Sequence, residues 1–314
     1  MTPKVDRVFN RRTAFRCAGV LGAALATSAC QGRPEVELRL AAGESGGFFW
    51  EFAGLLAACA DRAGSARITP LQSEGSVDNL EALRTGRAEL ALSLIDAAYD
   101  SPDRDNLTAV GCVYENYFQV AVRGDSPITS TDDLRGRLVS TGATGSGATS
   151  LSARVLAAAG LDQPGEIREV ELSMRDAAQE LAAGTLDAVM WAGGLPTPAF
   201  ADSGVDIRLL DLTAVVARLR ELFGTAYEAV PVPADVYGRH PEVTTVGVAN
   251  LLLVRRDVAD AAVAGIVDVL IDNSSELVPA QAVGSQFLDA QSLILTGSIP
   301  LHPGAAAEYR RRHG

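Results

Sequence analysis

Apolar and polar positions along the chain alternate between two patterns. Short apolar runs at 36–41, 67–71, 89–94, 108–113 and 118–123 predict strands, while 48–60 and 76–85 predict helices. From Arg123 the pattern restarts. A capped short helix at 130–134 precedes a strand at 137–140, a helix at 151–159, a strand at 167–172 and a helix at 173–183. A buried-type strand at 186–191, a strand at 207–210 and a helix at 212–223 follow, and helices at 258–273 and 305–311 close the chain. This alternation predicts a mostly parallel sheet covered by helices on both faces. The prolines at 231 and 233 break the pattern. The run at 246–255, VGVANLLLVR, then resembles YFQVAVR at 117–123, and two such segments are what a twin-strand hinge would look like.

Two loops carry the chemistry that this pattern exposes. TGATGSGATS at 141–150 joins a strand to a helix, and GESGG at 43–47 does the same nearer the N-terminus. Glycines there let the backbone turn sharply and approach a guest. The unpaired N–H groups of each helix start, backed by the helix dipole, then point at that guest. Ser146, Thr149 and Ser150 either cap the helix or donate to an oxyanion. Two such loops, roughly a hundred residues apart, predict two α/β lobes that share a cleft.

Composition adjusts this picture in three ways. A length of 314 residues favours two domains, and 47% hydrophobic residues suffice for a core in each. From Cys30 onward 22 cations, all arginine, face 38 acids, which argues against nucleic acid or anionic lipid as a partner. Lys4, Arg7, Arg11, Arg12 and Arg16 form a basic start before the apolar stretch 18–26, and Thr27, Ser28 and Ala29 lead to Cys30. That series predicts an export signal over 1–29 that resembles a bacterial lipobox, with Thr27 where leucine is usual. Cleavage before Cys30 and lipidation of its thiol would tether the mature chain outside the cytoplasmic membrane; ordinary cleavage with Cys30 unmodified is the other reading. Cys59 and Cys112 sit in apolar settings that suit buried free thiols, although the compartment allows a disulfide. His240, His302 and His313 have no partner at metal-ligand spacing, so no metal or cofactor is expected.

Several small motifs have competing readings. GESGG matches the nucleophile elbow GxSxG of serine hydrolases, with Ser45 as nucleophile and His302 with Asp272 or Asp289 as partners. The elbow follows the first strand, however, leaving no earlier strand to carry an oxyanion-hole loop. The loop at 141–150 is neither GxGxxG nor a P-loop, since no lysine follows Gly147. Phe48, Phe49 and Trp50 cannot all face one way on a helix, so at least one should line the cleft. Trp191 is core or cleft, and Asp96 is a ligand contact or a local cap.

At this point the motifs resemble a known family. GESGGFFWEFAGLLA, SEGSVDNLEALRTGRAELALSLIDAAYD, SPITSTDDLRG, the central loop, WAGGLPTPA and IPLHPGA occur in the order found in the TAXI-type solute-binding proteins of TRAP transporters, spanning nearly all of 36–312. The resemblance implies a type II periplasmic-binding-protein fold: two mixed sheets flanked by helices, joined by a twin-strand hinge. It implies one lobe of 30–116 with 241–314 and a second of 117–240, in a monomer without catalysis. Carried over by motif, Ser45, Gly46, Gly47, Phe49, Trp50, Ser76 and Asp96 would line one wall of the cleft. Thr144, Gly145, Ser146, Gly147, Trp191 and Gly194 would line the other. The ligand would be a small organic anion, a carboxylate or amino acid, delivered to TRAP permease membrane subunits. Phe49 and Trp50 stand where the family has tyrosines, and Leu94 where it has glutamine, which disfavours a highly polar ligand. A ligand-sensing protein without a transport role would use the same fold and cleft.

Overall fold

The computed structural model describes residues 36–279 and 288–313; the export segment and Cys30 lie outside the described residues. Strand β1 (Glu37–Ala41) leads into α1 (Phe48–Ala63), then β2 (Arg67–Leu71), α2 (Ser76–Arg84), β3 (Leu90–Leu94) and α3 (Ile95–Asp100). A long strand, β4 (Thr108–Arg123), carries the chain onward to β5 (Leu138–Ser140), α4 (Gly147–Ala158), β6 (Arg168–Val170) and α5 (Met174–Ala183). β7 (Ala188–Gly193), α6 (Pro198–Ala201), β8 (Ile207–Leu209), α7 (Thr213–Phe223) and β9 (Tyr227–Val232) complete the middle of the chain. A second long strand, β10 (Val243–Val254), returns it, and α8 (Asp260–Asp272) and α9 (Pro303–His313) finish it.

The strands form one mixed sheet in the order β2-β1-β3-β10-β4-β7-β5-β6, with β8 on β4 and β9 on β10. β1 is parallel to β2 and β3, and β5 is parallel to β6 and β7, as the β-α alternation predicts. Between these parallel sets run β4 and β10, antiparallel to each other, and Val246 faces Phe118. The two similar segments noted in the sequence are therefore neighbours. The mixed α/β architecture is as expected, but hydrogen bonding continues through β4 and β10, giving one ten-stranded sheet where two were anticipated.

Local chemistry explains most of the elements. Phe48, Phe52, Leu56, Cys59 and Ala60 place one face of α1 in the core, and the helix ends at Gly64 in the left-handed conformation. That face packs with Val263, Ile266, Val267 and Leu270 of α8 on one side of the sheet. The other side is covered by Leu80 and Leu83 of α2, Leu151 and Val155 of α4, and Leu219 of α7. β4 bridges the two strands predicted at 108–113 and 118–123. The polar interval that separated them, Tyr114, Glu115 and Asn116, lies buried within the sheet. Pro231 does not interrupt β9, which pairs with β10 alone among the described residues, so no second ladder needs its missing N–H. Cys59 and Cys112 are free and buried. Burial pushes the Cys112 thiol up to about 12, with Glu115 adding to the effect.

Glu115 gives a stability prediction. Burial, and then the nearby Glu228 carboxylate, pushes its carboxyl up to about 7. Its Oε1 lies where a side chain at Gly247 on β10 would begin. Because the folded value exceeds the unfolded one, Glu115 contributes favourably below about pH 4.5 and loses that contribution as pH rises through 7. Glu115→Gln should therefore stabilise the fold by about 2 kcal/mol at pH 8 and by almost nothing at pH 4. Urea melts at both pH values test this, and an equal effect at the two would contradict it.

Candidate functional site

The C-terminal ends of the parallel strands and the starts of the following helices converge on one crevice, where open α/β sheets place their ligands. From the first part of the chain come the turn at 43–47 before α1, the turn at 72–75 before α2, and Leu94 at the end of β3. From the second come Ser140 at the end of β5, the loop before α4, Leu172 and Met174 around the start of α5, and Trp191 on β7. Together they enclose a cavity of about 90 Å³, and Asn116 reaches it from the linking strand β4. Outside it opens a groove of about 890 Å³, bounded by 44–47 and 72–74 on one side and by α5 and α6 on the other. The two share Glu44, Gly47, Glu74 and Met174.

Three helices direct their N-termini at this cavity. α1 and α2 start at Gly47 and Gly75, neither of which offers a side-chain cap, and α4 starts at Ser146, whose Oγ accepts from the Thr149 N–H at 3.2 Å. The first N–H groups of a helix lack intrahelical partners, so the cavity gains donors without any cation. The loops also touch across the crevice. The Asp78 N–H donates to the Gly145 carbonyl at 3.3 Å. Gly75, at φ 129°, lies so near Ser146 that an added Cβ would sit 3.3 Å from its Cα.

The interior is mainly apolar, with a few polar groups that lack protein partners. Phe49, Leu94, Leu172, Met190 and Trp191 supply much of the wall. Asn116 is 4% exposed and Ser140 fully buried, yet Asn116 Oδ1 and Ser140 Oγ make no hydrogen bond. Buried polar groups are seldom left so, and both residues border this space. At the rim, burial pushes the Glu44 carboxyl above its ordinary value, opposed by the nearby Met174 N–H and reinforced by Glu74 and Asp176.

The residues singled out from the sequence are divided among three places. Gly47, Phe49, Ser76, Ser146, Gly147 and Trp191 line the cavity. Ser45 and Gly46 border the outer groove. Trp50, Asp96, Thr144, Gly145 and Gly194 line neither. Trp50 is half-buried against the core around α1. Thr144 Oγ1 bonds Glu171, and the Gly194 carbonyl accepts from Thr197 Oγ1 at 2.7 Å. Trp191 is both core and wall: it stacks on Phe200 and its Nε1 donates to Thr197 Oγ1 at 3.0 Å. Asp96 is 1% exposed and bound to the Ala97 N–H, the Tyr227 hydroxyl and Arg154. Burial raises its carboxyl's pKa despite Arg154.

Asn116, Ser140, Glu44 and Glu74 were not anticipated. An asparagine inside an apolar strand and a serine at a strand end are faint signals, because surface strands contain both. His302 is 1% exposed, accepts from the Gly304 N–H at 3.2 Å and lies 3.7 Å from Asp260. Ser45 is not among its partners.

Known proteins resemble this chain at two levels. A solved protein of Bordetella bronchiseptica RB50 is 13% identical, with 89% of this chain and 99% of that one covered and a TM-score of 0.57. The aliphatic sulphonate-binding protein SsuA of Escherichia coli is 18% identical, with 89% and 84% covered and a TM-score of 0.45. A mutant of ArgBP from T. maritima is 16% identical, with 77% and 91% covered and a TM-score of 0.48. The likeness to the Bordetella structure is one of fold. The family match is broader in meaning, since it runs over residues 40–311 and takes in every element around the crevice: the chain belongs to the NMT1-like family.

Proposed function

We propose that the chain is an extracytoplasmic solute-binding protein that captures a small carboxylate or amino acid in this crevice and catalyses nothing. Its lobes would be 30–116 with 241–314, and 117–240, hinged on β4 and β10. Within that class we assign it to the TAXI type, serving the membrane subunits of a TRAP-type secondary transporter and tethered through lipidated Cys30. The motif order described above supports that subtype. Solved relatives of similar fold include proteins named for binding sulphonates and arginine.

The observation that carries the reading is the convergence of three helix starts, from both sides of the crevice, on an apolar cavity with unpaired Asn116 and Ser140. Such a site binds through main-chain N–H groups, and a ligand that touches both sides favours the closed arrangement of a hinged protein. A nucleophile would need an adjacent base, and Ser45 is exposed in the groove without one among its described contacts.

A thermal-shift library of carboxylates, amino acids, sulphonates, sugars and polyamines tests the reading, with calorimetry on the hits. A ligand bound only by the folded chain at a hundred times its Kd adds about 2.7 kcal/mol, which raises Tm by several degrees. At least one compound class should do so, and Ser45→Ala should leave that binding within about threefold. A library without a single binder would overturn the assignment.

A further inference from the structure

The cavity has a one-sided charge pattern. Glu44 and Glu74 stand on its wall, whereas no arginine, lysine or histidine lines it among the described residues. Arg175 borders only the outer groove. A simple carboxylate entering here would be welcomed by the helix starts yet would have to pass two acids of its own sign.

The polar interior repeats the demand. Asn116 Oδ1 is an acceptor without a donor, 4% exposed, and Ser140 Oγ beside the same space is also unpaired. A bare carboxylate offers only acceptors, so it can take the Asn116 Nδ2 donors but leaves Asn116 Oδ1 unmet. A ligand bearing N–H groups can. We infer that the ligand carries an ammonium group as well as an acidic end, and that Glu44 and Glu74 recognise this cation and so exclude the des-amino acid of the same shape. This inference rests on the solute-binding reading and narrows it to small amino acids with an apolar body, held against Phe49, Leu172 and Trp191.

The chemistry of Glu44 fits the role. The Met174 N–H approaches its carboxylate, and a carboxylate has about four lone-pair sites. Its environment already disfavours the charged form, through burial and the proximity of Glu74 and Asp176. A bound ammonium would reverse that balance, making a charge-assisted hydrogen bond stronger than a neutral one. Met174 and Glu44 belong to opposite sides of the crevice, so the cation would also join the contact between them.

Matched pairs test the inference on the full chain. Alanine, valine, leucine, phenylalanine, aspartate and glutamate are each compared with propionate, isovalerate, 4-methylvalerate, hydrocinnamate, succinate and glutarate, by thermal shift and calorimetry. At least one amino acid should bind tenfold or more tighter than its des-amino partner. Glu44→Gln with Glu74→Gln should remove that preference, weakening the amino acid at least tenfold while leaving the partner equal or tighter. Failure of every amino acid to reach a tenfold preference over its des-amino partner with the unmodified chain, or a preference that survives both substitutions, overturns the inference. So does the absence of any amino-acid binding; if the wider library still yields a binder, solute binding stands and only the ammonium contact falls. The comparison between pairs needs no variant, so a variant that folds poorly does not spoil it.

Discussion

Replacing Arg154 with methionine should destabilise the protein by about 3–5 kcal/mol at pH 8, the range found when one partner of a buried ion pair is removed. Arg154 extends from α4 to Asp96 and Asp100 of α3, and its Nη1 also bonds the Tyr227 hydroxyl of β9. Asp96 is almost fully buried, with the Ala97 N–H at 2.8 Å and the Tyr227 hydroxyl at 3.2 Å as its other partners. Burial already raises its pKa with Arg154 present. Without the guanidinium, ionised Asp96 has only two neutral donors, so the folded pKa must climb further.

The sign of the pH effect follows. A carboxyl whose folded pKa lies above the unfolded value contributes favourably below the unfolded pKa, and that contribution is lost as pH rises through the folded one. The Arg154→Met deficit should therefore shrink by at least half between pH 8 and pH 5, where Asp96 can take up a proton. Adding Asp96→Asn should restore most of the loss at pH 8. Urea melts of the single and double variants measure both effects. A deficit independent of pH, with no recovery in the double variant, would mean that Arg154 matters through packing alone. The pair also bears on the site, because α3 follows cavity residue Leu94 and α4 begins at cavity residue Gly147.

Legibility from the sequence followed the range of each interaction. The β-α alternation and the helix starts depend on neighbours a few residues apart, and these were readable. The central loop was readable as well, although its helix begins at Gly147 rather than at 151, because Ser146 already caps it. The likeness between 117–123 and 246–255 marked two segments that lie side by side in the sheet, Val246 facing Phe118. It could not reveal that hydrogen bonding runs on through them into one sheet, since a ladder is a property of strands distant in the chain. The site divides in the same way. Glycines and hydroxyls beside a helix start announced Gly47, Ser146 and Gly147. Asn116 and Ser140 were hidden, because an isolated polar residue in a strand becomes notable only when burial leaves it without a partner. Asp96 was open between a ligand contact and a local cap: its carboxylate does accept the Ala97 N–H, but its answering cation, Arg154, lies 58 residues away in the chain.

Gly147→Val should weaken ligand binding at least about 100-fold, as small displacements in an assembled site can do. Gly147 is the first residue of α4, and an added Cβ there would stand 2.6 Å from Ser76 Oγ and 2.7 Å from Leu94 Cδ1. Ser76 cannot simply turn aside without cost, because its Oγ accepts the Leu94 N–H at 3.0 Å. The valine must either overpack this seam, at about 1–3 kcal/mol, or push the two sides of the crevice apart. Separation relieves the clash, so stability should fall little while the radius of gyration in solution rises. Gly147→Ala should give an intermediate loss. Gly54→Ala serves as the control: it lies within α1, its Cβ would meet nothing within 4 Å, and it should raise stability by up to about 1 kcal/mol with binding unchanged. Calorimetry with the amino acid or carboxylate found by screening, together with small-angle scattering, decides the matter. Full affinity in Gly147→Val would mean that contact between α2 and the α4 start is not required to hold the ligand.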